Sequence, residues 1–292
     1  MLVGQVIVNS VIVVSQLLLV SISFYVIYRT LRIFHFAHAG LYAFSPYLLY
    51  TFHNILGLNL VGSILGALIG VCLLAYLLNH FIHRHLREKK ASTLVHLIAS
   101  MGAYLIIQNM ISIMWGDDTK AIITCTPTTY SLGDAYFTTI HTLIVVISIT
   151  LTVATVMILK YTKYGMQITA VGENSDLSSN LGIHPERVYT LAFIFSACVA
   201  GIAGILIGID TNLVPTMGFH PLMMAVIIVV VGGVGSIRGV IIATIGIVTI
   251  QNVATYFIAS QWQDLIAFGV MLLFLIIKPE GVSGKPVQDL KV

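Results

Sequence analysis

The 292-residue chain carries 14 Lys and Arg against 11 Asp and Glu, a net charge of +3, while 58% of it is hydrophobic and its mean hydropathy is +0.99. Charge this sparse and scattered excludes a nucleic-acid-binding surface, and hydrophobicity this high excludes a soluble globular domain. Apolar runs that repeatedly reach the roughly 18–20 residues needed to cross hydrocarbon predict an all-α, polytopic membrane helical bundle. The alternating segments of about ten residues that mark a β-barrel are missing.

The first run, 4–28, has no Lys or Arg ahead of it, and Arg29 and Arg32 follow it. That order predicts a retained first span with its N-terminus outside, because a cleaved signal peptide needs a basic region before a short apolar one. Gln5, Asn9, Gln16 and Ser23 fall on one stripe of this helix. A polar stripe in lipid faces either hydrogen-bonding partners on other helices or a water-filled path. The next segment, "FHFAHAGLYAFSPYLLYTF" (34–52), is irregular: it contains His35, His38 and Pro46. The run 56–82 sets Gly62, Gly66 and Gly70 four residues apart and ends in "HFIHRH". The glycines predict close helix packing. His80, His83 and His85, interleaved with Arg84 and Arg87, read as an interfacial basic cluster, since no carboxylate or thiolate completes a metal site there.

After the run 92–114 comes the longest polar stretch outside, 115–136, with the composition of a loop or a short surface helix. Runs at 137–160 and 187–209 flank the insert described below, and the second repeats the small-residue spacing with Ala200, Gly204 and Gly208. The run 221–233 is short: at about 1.5 Å per residue it covers roughly 20 Å, too little to cross unaided. Runs at 239–258 and 262–278 complete the chain. The expectation is a single transmembrane domain over 1–292, with about eight or nine spans, two of them broken or short. Cys72, Cys125 and Cys198 read as packing residues rather than a disulfide framework.

Starting outside, nine crossings sort the basic residues by side. Arg29, Arg32, Arg84, Arg87, Lys89, Lys90, Lys160, Lys163, Arg187, Arg238, Lys278, Lys285 and Lys291 fall inside, and Lys120 falls outside beside Asp117, Asp118 and Asp134. This is the positive-inside pattern, and it puts the C-terminus in the cytoplasm.

The stretch "GENSDLSSNLGIHPE" (172–186) is the most polar in the chain and faces the cytoplasm in this arrangement. Its local chemistry predicts a capped two-turn helix within 164–186. Asn174 or Ser175 is the N-cap, Asp176 sits favourably in the first turn, and Gly182 supplies the left-handed C-terminal position. Pro185 and Glu186 begin the next helix. Leu177 and Leu181, four apart, form one apolar ridge, too small to hold the helix in lipid and suited to the groove of a cytoplasmic partner. The rival reading is a solvated connector.

No G-x-x-x-x-G-K-[ST] phosphate loop is present, "GVSGKP" having the wrong spacing, and neither G-x-S-x-G nor H-E-x-x-H occurs. The chain is therefore read as no enzyme, with no bound cofactor or metal. Within the spans the acids are few, and Asp210 and Asp264 lie near predicted ends. That leaves His35, His38 and His220, in or beside the irregular segments, either as satisfied structural histidines or as functional groups.

Several of these segments resemble those of bacterial ABC importer permeases for branched-chain amino acids. The insert carries the family's "N-x-x-x-A-x-x-x-G-I" pattern at Asn174, Gly182 and Ile183. "FHFAHAGLYAFSPY" resembles "INFAHGELYMLGAY". "PTMGFHPLMMAVIIVVVGGVGSIRG" and the C-terminal "WQDLIAFGVMLLFLIIKPEGVSG" match further segments in collinear order. Departures are His35 for Asn, Ala39-Gly40 for Gly-Glu, Met224 for Lys and Arg238 for Pro. The resemblance implies an inner-membrane permease subunit, surrounded by lipid, that imports branched-chain or other apolar amino acids. It also implies partners: two cytoplasmic ATPases that hydrolyse ATP, a second permease (a paralogue or a second copy), and an external substrate-binding protein. Under it, Glu173, Asn174, Ser175, Asp176, Leu177, Leu181, Gly182 and Ile183 couple to the ATPase. By analogy with broken helices in other transporters, His35, Phe36, His38, Tyr42, Gly218, Phe219 and His220 become candidates for the translocation path. Alternatives are import of urea, short amides or an aromatic amino acid by the same architecture, a self-contained channel or secondary carrier, and a metal-importing permease suggested by the histidines.

Overall fold

The computed structural model describes residues 2–122, 128–132, 135–255, 260–278 and 281–282. Cys125, Asp134, Lys285 and Lys291, and most of the segment after Lys278, lie outside the described residues. Twelve helices are seen among those described: α1 Leu2–Leu31, α2 Ala37–Tyr50, α3 Leu60–Leu78, α4 Arg84–Glu88, α5 Thr93–Trp115, α6 Thr139–Tyr161, α7 Lys163–Glu173, α8 Ser175–Asn180, α9 Pro185–Asp210, α10 Phe219–Gly232, α11 Ile237–Ala254 and α12 Gln263–Ile277. Six helical stretches are long and apolar enough to cross a membrane: α1, α3 continued through α4, α5, α6, α9 and α11. The helices α2, α10 and α12 are shorter. The chain is a polytopic helical membrane bundle, and each apolar run of the sequence appears as a helix within a few residues of its expected bounds.

One departure from the all-α expectation stands between α5 and α6. The strands β1 Thr129–Leu132 and β2 Ala135–Thr138 pair antiparallel, with Tyr130 opposite Phe137. The side-chain amide of Gln5 closes the edge of this hairpin. Its Oε1 accepts from the Tyr136 backbone N–H at 2.8 Å, and its Nε2 donates to the Tyr136 carbonyl at 3.1 Å. The rest of the polar stripe on α1 also finds protein partners. Gln16 reaches Asp210 of α9 (3.4 Å), and Ser23 meets His38 of α2 (2.8 Å).

The two ends of the bundle are chemically distinct. At one end, Arg32 Nε donates to the Gly172 carbonyl (3.1 Å), Arg29 pairs with Glu173 (3.7 Å) and Arg87 with Glu186 (2.8 Å). These contacts gather the α1–α2, α4–α5 and α6–α9 connections onto one basic face. At the other end, Lys120 bridges Leu213 through the backbone, and His141 Nε2 stands 3.1 Å from Asp210.

Helices α1 and α9 form the centre, about two thirds of each apolar window being buried, whereas α3, α5 and α6 expose most of theirs. Glycines allow α2 to press into this centre. A Cβ on Gly66 or Gly70 of α3 would strike Phe52 or Leu48, and one on Gly208 of α9 would strike Pro46. At Gly204 it would fall on the Tyr42 carbonyl oxygen. Pro46, lacking an N–H, cannot supply the helical donor to that oxygen, so the only thing that fits over it is a backbone without a side chain. Gly62 differs: its Cβ would meet only Asn59, which caps α3. Cys72 of α3 packs against the α9 backbone, its Sγ 3.7 Å from the Ile194 carbonyl, in keeping with a packing role.

This packing predicts a sharp contrast between two glycines. Gly204→Leu forces α2 away from α9 and should lower the melting temperature of the detergent-purified protein or prevent its accumulation. Gly246→Ala on α11 meets nothing within 4 Å and should be neutral or raise stability, by up to about 1 kcal/mol. Thermal unfolding of the two variants beside the parent checks both.

Candidate functional site

Two backbone starts meet inside the bundle. The helix α2 begins well below the basic end, after the chain turns inward at Arg32, whose left-handed φ of 56° ends α1. The Ser100 hydroxyl, two turns into α5, holds the descending segment. It accepts from the Phe36 N–H (3.1 Å) and lies 3.2 Å from the Phe34 carbonyl. From the opposite side, residues 211–218 carry the chain inward to the start of α10. There Gly218 lies directly against Ala39, so that a Cβ on Gly218 would fall on the Ala39 carbonyl oxygen. Phe219 follows, its ring 5.6 Å from that of Tyr104.

Most of the sequence-predicted path residues come together around this meeting. His35, His38 and Tyr42 are fully or almost fully buried, and Ser23 accepts or donates to His38 Nε2 at 2.8 Å. Ser196 of α9 donates to the Ser23 carbonyl (2.8 Å), which ties the polar pair into the central helices. His220 does not join them. It lies exposed beside Asp264 of α12, with Nε2 2.9 Å from Oδ1.

Sequence reasoning missed the other side of His35. Its ring packs edge-on against His83 (4.8 Å) and Phe193 (4.9 Å), and His83 Nδ1 stands 3.2 Å from His96 Nδ1. The expected interfacial cluster therefore splits: His80 and His85 stay exposed while His83 turns into the core. The cause is a π-helical turn over Asn79–His83, which adds a residue to the helix and shifts its register. No pattern in the sequence joins His83 to His96, 13 residues on, because their meeting depends on how α5 folds back. Among the described residues no three His, Cys, Asp or Glu side chains are placed to hold a metal ion, and these histidines make a chain rather than a coordination shell.

Two departures from the family pattern have plain surroundings. Met224 is buried beside Gln251, whose Nε2 lies 3.9 Å from its sulfur, so this position carries no charge into the core. Arg238 is exposed at the basic end, in the first turn of α11.

The second element of the site is the insert at the basic end. It contains two helices where the sequence suggested one. α7 is amphipathic, capped by the Thr162 hydroxyl, and buries Ile168 and Val171 against the bundle. Its C-terminus sits on that of α1, so close that a Cβ on Gly172 would fall on the Arg29 carbonyl oxygen. Arg29 and Arg32 stand where two sets of helix-terminal carbonyls converge, which is where cations are favourable. α8 then starts at Asn174, whose side chain accepts from the Leu177 N–H (2.9 Å). It ends at Gly182 (φ 84°), where the Ile183 N–H returns to the Ser178 carbonyl at 3.0 Å. Ser178 faces inward, while Leu177 and Leu181 stand 57% and 74% exposed.

Beyond α8, Pro185 and Glu186 open α9. Glu186 takes both prongs of the Arg87 guanidinium (3.0 and 2.8 Å), which also donates to Asn79 (3.0 Å) and covers the Tyr189 ring at 4.5 Å. A fork-to-carboxylate pair of this kind fixes geometry as well as attraction. The α7–α8 unit thus rests on the basic ends of α1, α6 and α9, and Arg87 ties the start of α9 to the end of the α3–α4 helix, while the two ridge leucines stand exposed.

Comparison with known proteins identifies the family. The sequence profile described as "Branched-chain amino acid transport system / permease component" matches residues 6–275. The chain is 26% identical to the high-affinity branched-chain amino acid transport system permease protein LivH of Salmonella typhimurium, over 95% of this chain and 94% of LivH. It is 24% identical to BraD, the corresponding protein of Pseudomonas aeruginosa, over 97% and 96% of the two chains. A chain of the solved structure of PsaBC from Streptococcus pneumoniae in complex with Fab shares the fold, with a TM-score of 0.52 at 14% identity, over 93% of this chain and 91% of that one. These sequence relatives are transport permeases, not enzymes. The profile match spans both broken helices and the insert, and the chain belongs to the family of branched-chain amino acid transport system permease components.

Proposed function

We propose that the chain is the membrane subunit of an ATP-driven importer in a bacterial inner membrane, that α8 seats a cytoplasmic ATPase, and that the cargo is a branched-chain or other apolar amino acid. The observation that carries this reading is α8 itself. It is a helix capped at both ends and carried by α7, which is braced on α1, α6 and α9, and its two leucines stand 57% and 74% exposed among the described residues. The sequence has no phosphate loop, so in this reading the energy of ATP reaches the chain from another subunit, and α8 is a surface suited to receiving it.

Family and fold support the partners the reading needs: two ATPases that hydrolyse the ATP, a second permease that is either a paralogue or a second copy, and an external binding protein that delivers the cargo. No cofactor is assigned to this chain. The positive-inside rule supports a cytoplasmic position for the basic end. Movement of α8 would pass through Arg32–Gly172 to α1 and along the chain into α9, whose Glu186 is tied by Arg87 to the end of the α3–α4 helix; α9 and α3 lie against α2. The path then runs by the meeting of α2 and α10, where Phe36, Tyr42 and Phe219 supply apolar surface and Ser23, Ser100 and the histidines supply polar groups. His220, with Asp264, belongs to its exposed outer approach. An apolar side chain on a polar backbone fits such a mixture better than urea or a short amide does, though an aromatic amino acid remains the nearest competitor.

Reversing the ridge with Leu177→Glu and Leu181→Glu should abolish uptake and co-purification of the ATPase while leaving membrane insertion intact. A variant complex that still assembles and transports would refute the assignment of α8. Depleting cytoplasmic ATP while ion gradients are maintained should stop labelled-leucine uptake in cells dependent on this system. Continued uptake would instead favour a self-contained channel or secondary carrier.

A further inference from the structure

Away from the α8 ridge, the basic end holds a cavity of about 600 Å³ between the ends of α1, α6, α7 and α11. Three cations line it: Arg29 from α1, Lys160 from α6 and Arg238 from α11. The remaining wall is mainly apolar, with Val156, Leu159 and Ile168. Among the described residues, one carboxylate approaches this charge, that of Glu173, 3.7 Å from Arg29 and itself 64% exposed. The positive end of the α11 dipole points to the same side.

Beside the cavity, α6 presents a surface made for hydrocarbon. On α6, Val153 and Met157 lie two turns and one turn from Lys160 and are 49% and 51% exposed. Lys160 Nζ lies 5.1 Å from the Tyr161 ring, both in the last turn of the helix. A lysine beside a tyrosine at the end of an apolar helix marks the depth of the lipid headgroups. A soluble anion would use the cations and leave the apolar wall unfilled, whereas an amphiphile uses both.

We propose that this cavity binds one anionic phospholipid. Its phosphate lies among Arg29, Lys160 and Arg238, its glycerol region lies against Leu159 and Ile168, and an acyl chain runs along Val153 and Met157. Basic pockets between membrane helices recognise anionic headgroups by this combination. The site differs from the α8 surface in occupant and position, and it stands whether or not the chain is an importer of amino acids.

Native mass spectrometry of the delipidated transporter, purified with its partner subunits and titrated with phosphatidylglycerol, tests the assignment. Lys160→Gln combined with Arg238→Gln changes two exposed side chains. It should weaken phosphatidylglycerol binding roughly thirtyfold, at about fivefold per cation near the headgroups. Leu159→Trp, which fills the apolar wall and leaves every charge in place, should weaken it as well. Phosphatidylethanolamine should bind far less tightly than phosphatidylglycerol, and excess inorganic phosphate should fail to displace the lipid. Unchanged binding in the charge variant, equal binding of the zwitterionic lipid, or full displacement by inorganic phosphate would each overturn the proposal, the last in favour of a free-anion site.

Discussion

The contact between the Gly218 backbone and the Ala39 carbonyl is the constraint on which the rest of the bundle depends. Two helices begin at this contact, where Gly218 and Ala39 are both buried, and a helix start leaves backbone N–H groups without intrahelical acceptors. Hydrocarbon tolerates such groups only where other protein or water receives them. The structure meets that demand with Ser100 on the Phe36 N–H, and with turn bonds from His38, Ala39 and Phe219 to carbonyls three residues back. A side chain at position 218 would separate the two starts and expose them. The enclosing helices α1, α5 and α9 therefore do more than span: they wall off irregular backbone from lipid.

The same logic links the centre to the basic end. Gly204 and Gly208 allow α2 to lie against α9, and Arg87 holds Glu186 in the first turn of α9. α1 contributes Ser23 to the centre and Arg29 and Arg32 to the insert. A displacement of α7 and α8 thus has two direct mechanical routes to the segment that carries His35 and His38.

Much of this was legible because lipid makes simple demands. Run length alone located the long helices, and the shortness of 221–233 announced a helix that does not cross unaided. Local chemistry was equally readable at α8. Asn174 as cap and Gly182 as the left-handed terminator need only neighbours within a few residues. What escaped was whatever depended on distant partners. α7 was hidden because its few inward residues, Ile168 and Val171, are interspersed with polar ones in a stretch that looked like a connector. His83 looked interfacial beside Arg84 and His85 until the π turn rotated it toward His35 and His96. His220 was grouped with the path by its place in the irregular segment, yet its partner Asp264 comes from α12 and holds it on the outer face. The hairpin beside α6 depends on the Gln5 amide, more than a hundred residues earlier in the chain.

The central claim is that cargo passes where α2 and α10 begin. Its most direct measurement is thiol labelling of Phe219→Cys, with Cys72, Cys125 and Cys198 replaced by serine, in the assembled transporter in membrane vesicles. The account predicts that a membrane-impermeant maleimide modifies this position, that saturating leucine delivered by the binding protein slows modification, and that trapping the ATPases with nucleotide changes the rate again. Modification that proceeds at one rate under all three conditions, or that never occurs, would contradict it.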